Sequence, residues 1–161
     1  MLKTIAAELG RIADVQEARL ADERRAVGGD IDWSALAFRW RDDGRLQAID
    51  APVALPLDRL HGIETQKQRL VANTRQFVAG LPANNALLWG TRGSGKSSLV
   101  KALLPTFADD GLRIVEVPAH RLVDLPDLVA ILANRPEKFV VFSDDLSFEA
   151  GDGSYKALKA V

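Results

Sequence analysis

Cysteine is absent from the 161 residues, which removes disulfides, thiolate metal sites and thiol nucleophiles together. Only two histidines are present, His61 and His120; they lie far apart in the chain and do not point to a zinc centre. No apolar run reaches the roughly 18 residues that a bilayer crossing requires. The opening stretch, MLKTIAAELGRIADVQEARL, is interrupted by charge every few positions and lacks the apolar segment of a signal peptide. An excess of one charge is missing as well. Lys and Arg number 21 against 22 Asp and Glu, a formal net charge of −1, so no global field draws the protein to nucleic acid or to an anionic membrane. What is there is a chain that is 47% apolar, of a size that buries roughly 68–70% of its unfolded surface. These absences lead to the expectation of a soluble, cytoplasmic globular protein, and they say nothing about chemistry.

Leu2, Ile5, Ala6, Leu9, Ile12, Ala13 and Leu20 recur at helical spacing and predict an amphipathic helix within residues 2–27, ending before Gly28-Gly29. Its polar face mixes acids with bases, so packing on its own protein is expected rather than adsorption to a membrane. Gly28 to Asp32 reads as a turn or linker. From Trp33 to Leu57 the pattern is irregular, with a turn signal at Asp42-Asp43-Gly44 and a short strand around Leu46–Ile49. Trp33, Phe38 and Trp40 could in principle stack on bases. Arg39, Arg41 and Arg45 lie among them, but Asp42 and Asp43 sit between these arginines, so core or inter-segment packing is the expectation. Residues 1–57 are therefore read as a helical N-terminal segment with its linker, and residues 58–161 as a separate domain.

Within that domain the spacing of Ile63, Leu70, Val71, Thr74, Phe77 and Val78 predicts a helix over 64–78, ended by Gly80 and Pro82. Ala86-Leu87-Leu88-Trp89 is a short continuous apolar run of the kind buried in a parallel sheet, giving a strand at 86–90. A helix from Lys96 to Leu104 follows, stopped by Pro105. Further strands are expected at 112–117 and 139–143. Between them lies a helix to about Asn134, with Asp124 as its N-cap and Pro126 in its first turn. Another helix begins at Tyr155. Strands alternating with helices define an α/β protein with a parallel sheet.

The segment between the first strand and the next helix carries the chemistry. Gly90-Thr91-Arg92-Gly93-Ser94-Gly95-Lys96-Ser97 is a complete G-x-x-x-x-G-K-[ST] loop. Glycines allow successive backbone N–H groups to converge on phosphate oxygens, forming an anion nest, and the following helix, opening at Lys96-Ser97-Ser98, aims its positive end at the same place. Lys96 would reach the β- and γ-phosphates, and the Ser97 hydroxyl is a hard oxygen ligand for Mg²⁺. The second element is Phe139-Val140-Val141-Phe142-Ser143-Asp144-Asp145, an apolar strand ending in two carboxylates. Asp144 is expected to hold Mg²⁺ and Asp145 to orient the attacking water. The motif set contains no N-K-x-D guanine-reading sequence and no L-S-G-G-Q-like signature, and about 89 residues precede the loop, which argues against a small nucleotide kinase.

The loop, the Asp144-Asp145 pair and the Gly62-Ile63 segment ahead of the first helix resemble an AAA+-type ATPase. More narrowly, LHGIETQKQRLVANTRQFVAGLPANNALLWGTRGSGKSSLVKALL and FSDDLSFEAGDGSYKALKAV are similar to a bacterial family of AAA+-like ATPases known only as a domain of unknown function. The resemblance runs from about Phe38 to Val161. It implies ATP and Mg²⁺ as ligands, with Gly62 and Ile63 against the base, the loop from Gly90 to Ser98 on the phosphates, and Lys96 and Asp145 catalytic. It also implies an AAA+ sheet order of 5-1-4-3-2, whose fourth strand, sensor, arginine finger and lid would lie beyond Val161. On that ground the chain is expected to be an N-terminal fragment that does not turn over ATP alone, with a homo-oligomer possible for the whole protein. Two departures from the pattern stand out. The second carboxylate is Asp145, one methylene shorter than the usual Glu, and Pro118-Ala119-His120-Arg121-Leu122 is no aromatic pore loop, so polypeptide threading has no support. His120 is expected to be an ordinary surface residue. The alternative reading is a nucleotide-binding interaction module without turnover; the protein partner is unidentified in either case.

Overall fold

The computed structural model describes residues 31–50 and 55–144. The predicted helix over 2–27, the helix from Tyr155, and Asp145 itself lie outside the described residues. Four strands make one sheet: β1 (Ala37–Trp40), β2 (Leu46–Ile49), β3 (Leu112–Glu116) and β4 (Lys138–Phe142), in the spatial order β2-β1-β3-β4. β3 pairs with β4 in parallel, Leu112 opposite Lys138 and Glu116 opposite Phe142. β1 is also parallel to β3, whereas β1 and β2 form an antiparallel hairpin. The sheet is thus mixed rather than wholly parallel, and this corrects the sequence expectation.

The hairpin is the source of the difference. Asp42-Asp43-Gly44 does form the turn, closed by Arg41 N–H donating to Arg45 C=O at 2.9 Å. Gly44 sits at φ +74°, where a side chain would be strained. β1, which showed no legible periodicity, is a strand because Ala37, Phe38 and Trp40 are all buried against other layers. Both hairpin strands lie before the boundary expected near residue 57, yet they belong to the same sheet as β3 and β4.

Helices cover both faces. On one side Phe38, Trp40, Val115 and Val117 pack against Leu122, Leu125, Leu128 and Leu132 of the 3-10 helix Ala119–Asp124 and the α-helix that follows it. On the other side Leu112 clusters with Leu60, Leu70, Leu99, Ala102, Leu103 and Phe107. Four α-helices are described: α1 (Glu64–Val78), α2 (Lys96–Lys101), α3 (Leu104–Phe107) and α4 (Leu125–Leu132). α1 has the bounds its spacing predicts. The helix expected to run from Lys96 to Leu104 is instead two short helices, because Pro105, expected as a stop, occupies the first turn of α3, where its missing N–H costs nothing.

Asp124 precedes α4 as expected, but its side chain caps no helix N–H. Its carboxylate accepts from Trp40 Nε1 at 2.8 Å and pairs with Arg121 at 2.5 Å, tying the hairpin to the element after β3. Trp33, Phe38 and Phe139 form an aromatic cluster, with Arg135 stacked over Trp33 at 4.5 Å. Of the three aromatics expected to pack, Phe38 and Trp40 are buried in the core and Trp33 packs against it partly buried, as does Ile31.

The expected strand at 86–90 is not in the sheet. Leu88 packs inward, but Leu87 and Trp89 are 64% and 88% exposed. An apolar run becomes a strand only when a neighbour takes its backbone hydrogen bonds, and no such neighbour lies among the described residues. No described helix is long and apolar enough to cross a membrane.

Candidate functional site

The glycine-rich loop joins the Leu88-Trp89 segment to α2. Gly93 and Gly95 take φ of +79° and +85°, conformations that L side chains rarely adopt, so the loop's path depends on these two residues having no Cβ. Thr91, Arg92, Gly93 and Ser94 are exposed, and Gly95, Lys96, Ser97 and Ser98 are half-buried where α2 begins. Ser94 N–H donates to Thr91 C=O at 3.3 Å, a turn inside the loop. Lys96 folds back over it, donating from Nζ to the carbonyls of Gly90 at 3.2 Å and Thr91 at 2.9 Å. The cation is therefore held above the loop's own backbone.

β4 delivers the second component. Its half-buried apolar residues stop at Phe142, and the chain emerges at the same end of the sheet as Glu116, the last residue of β3. Asp144, two residues past the strand, is exposed and accepts a short hydrogen bond from Ser97 Oγ. These two side chains are 47 residues apart in sequence. The fold thus joins Ser97 and Asp144, as the sequence reading expected, and holds Lys96 one residue away. Ser143 carries a buried hydroxyl with no hydrogen-bond partner among the described residues.

Gly62 and Ile63 stand at the entrance of α1, Gly62 at φ +77° and Ile63 as the residue before the first helical turn. Ile63 and Leu88 both pack against the apolar cluster that contains Leu60, Leu70 and Leu99. This segment is thereby held beside the elements that flank the loop. Beside it, the Glu64 carboxyl is held below its ordinary value, first by a hydrogen bond from its own backbone N–H and further by the positive charge of Lys67.

Two polar side chains that sequence reasoning did not single out bind these parts to α1. Lys67 Nζ donates to Leu57 C=O at 2.9 Å and Leu60 C=O at 2.6 Å. Asn73 takes both main-chain groups of Asn84: its Nδ2 donates to Asn84 C=O at 2.7 Å, and its Oδ1 accepts from Asn84 N–H at 3.0 Å. Nothing in one sequence distinguishes them from the other polar residues of an exposed helical face. His120, as expected, lies at the surface, where its Nε2 meets Asp42 Oδ1 at 2.7 Å. Arg39 pairs with Glu116 at 3.2 Å, and Arg41 donates to the neutral Gln47 at 2.7 Å.

The geometry defines an α/β protein with helices on both sheet faces and a glycine-rich, lysine-bearing loop set against a carboxylate at a strand end. The family described as Protein of unknown function (DUF815) matches residues 33–161, and the chain belongs to it. No curated protein and no solved structure matches.

Proposed function

We propose that the protein is an AAA+-like phosphate-loop ATPase that binds ATP with Mg²⁺ and hydrolyses it. The observation that carries this reading is the Ser97–Asp144 contact. The hydroxyl ending the G-x-x-x-x-G-K-[ST] loop and the carboxylate ending an apolar strand are what a phosphate-bound magnesium ion needs, and the fold gives them a common position. Both are hard oxygen donors, the chemistry that Mg²⁺ selects. When bound, the ion would supply charge neutralisation on the phosphate oxygens.

The remaining roles fall to the chain's own groups. The loop amides from Gly90 to Ser98 and the Lys96 ammonium compensate phosphate charge. Lys96 already donates to two carbonyls, and it exchanges those partners for phosphate oxygens. Gly62 and Ile63 border the base. Asp145 accepts a hydrogen bond from the attacking water and orients it in line with the γ-phosphate, and Lys96 stabilises the charge that develops there. Because phosphoryl transfer goes through a loose transition state, these groups act by position and electrostatics. The protein acted on through turnover is an unidentified partner.

Calorimetry with ATP and Mg²⁺ tests the reading directly. Lys96→Ala is expected to reduce nucleotide affinity by at least about tenfold, the effect of losing a charge-assisted hydrogen bond. Unchanged affinity in that variant would remove the phosphate-loop assignment. Phosphate release under single-turnover conditions then separates hydrolysis from binding alone.

A further inference from the structure

We infer that α1 is the bracket that sets the spacing between the two halves of the nucleotide site, with Lys67 and Asn73 as its positioning residues. The inference rests on the nucleotide reading above and adds how the site is held together. The loop hangs from a segment that has no place in the sheet, since residues 86–90 pair with no strand. Backbone hydrogen bonding, which normally fixes such a lead-in, is therefore missing on the approach to Gly90 among the described residues. Asn73 replaces it. A carboxamide that donates to a residue's C=O and accepts from the same residue's N–H reproduces the pair of bonds that a neighbouring strand would make. At Asn84 that is the arrangement, with distances of 2.7 and 3.0 Å.

Lys67 performs the corresponding task at the other side. Its ammonium is mostly buried, with 17% of the side chain exposed, and holds the carbonyls of Leu57 and Leu60 in addition to lying 3.7 Å from Glu64. Those carbonyls belong to the turn that leads into Gly62 and Ile63. The two clamps are six residues apart on one helix, about 9 Å of axial rise. A rigid helix therefore holds the turn before Gly62 and Ile63 at one point and the lead-in to the loop at another. Buried Leu70 and Thr74 anchor the helix itself, the Thr74 hydroxyl donating to Leu70 C=O at 2.9 Å.

The two clamps have separable consequences. Lys67 holds the Leu57–Leu60 turn and otherwise meets Glu64 on its own helix, so its loss displaces the part of the site that meets a ligand beyond its phosphates. Asn73 touches only the approach to the loop, so its loss disturbs phosphate binding itself. The experiment is calorimetric titration of the full chain with MgATP and, separately, with magnesium tripolyphosphate, which has phosphates and no base. Lys67→Met is expected to weaken ATP about tenfold and leave tripolyphosphate within about twofold of the parent. Asn73→Ala is expected to weaken both ligands to a similar extent, by about three- to tenfold, and Asn73→Asp, which sets a carboxylate oxygen against Asn84 C=O, to weaken them at least as much. Far-UV circular dichroism and thermal unfolding identify a variant that has lost its fold. For Lys67, Lys67→Gln, which keeps an N–H donor group without the charge, then supplies the comparison. Variants that bind both ligands like the parent overturn the bracket while leaving the nucleotide reading intact. Equal losses on ATP and tripolyphosphate in Lys67→Met also overturn it, since they mark a general structural effect. A parent that binds neither ligand overturns the nucleotide reading and the bracket with it.

Discussion

At the scale of single residues, polar groups here act by joining elements distant in sequence. Asp124 is the clearest case. Sequence logic gives it a helix cap, but its Oδ2 is shared by the Trp40 indole and the Arg121 guanidinium. The reason is energetic: a buried indole N–H and a partly buried guanidinium cost more when unpaired than a helix N–H that water can reach. Asp124→Ala is therefore expected to destabilise the protein by about 2 kcal/mol, leaving two donors without their acceptor. Urea unfolding checks this, with a lower midpoint and an unchanged slope. The same logic at the site separates the two aspartates of the strand end. Asp144→Asn is expected to weaken Mg²⁺-dependent ATP binding, because Asp144 meets Ser97 and an amide is a poorer ligand for a hard cation. Asp145→Asn is expected to preserve binding and, in a turnover-competent context, to slow phosphate release. Equal magnesium dependence of binding in Asp144→Asn and the parent would place the metal elsewhere.

A pH effect also belongs to this scale. The Glu137 carboxyl is held below its ordinary value of 4.5, chiefly by its hydrogen bonds with Arg135, with burial opposing the shift. A carboxyl lowered on folding stabilises the folded state above its unfolded value, and that contribution is lost as pH falls through the folded value. Arg135 also stacks on Trp33, which packs against Phe38 and Phe139. Acidification from neutral to below about pH 4 is thus expected to loosen this corner of the core. Glu137→Gln should show a shallower fall in thermal midpoint over that range; a fall as steep as the parent's assigns the acid sensitivity to other carboxylates.

At the scale of elements, what sequence reveals depends on whether a pattern is local. α1 is legible to its ends because Leu70, Thr74 and their neighbours repeat at helical spacing and Gly80 follows. β3 and β4 are legible because apolar runs flanked by polar turns mark buried strands. The glycine-rich loop is legible because G-x-x-x-x-G-K-[ST] sets fixed residues at fixed offsets. β1 was not, since burial on both faces erases the alternation of Ala37-Phe38-Arg39-Trp40. The run 86–90 misled for the converse reason: its apolar residues have the composition of a strand, but pairing is a property of neighbours and not of composition. Pro105 misled because proline is equally at home just after one helix and at the start of the next. The Ser97–Asp144 junction could be anticipated from motif spacing, whereas the Lys67 and Asn73 clamps could not, since their partners are backbone groups that carry no sequence signature.

At the scale of the whole molecule, order is unevenly distributed, and the uneven part is the site. The sheet and the helices on its faces contain the buried residues, from Phe38 and Trp40 to Leu112, Ile114 and Leu128. Residues 85–93, by contrast, make no backbone hydrogen bond as donors among the described residues, and most of them are exposed. Segments with exposed amides and few buried contacts open at a small fraction of the global unfolding energy. A ligand that takes up the loop amides should therefore change exchange there while leaving the sheet as it was. Hydrogen exchange is expected to be fast from Ala86 to Ser94 without nucleotide and slower with MgATP, while β1 and β3 remain protected in both states. Saturation with ligand should also raise the unfolding free energy by about 2.7 kcal/mol at a hundredfold excess over Kd. Protection spread evenly over the sheet, or none at the loop, would mean that ATP does not bind where Lys96, Ser97 and Asp144 meet.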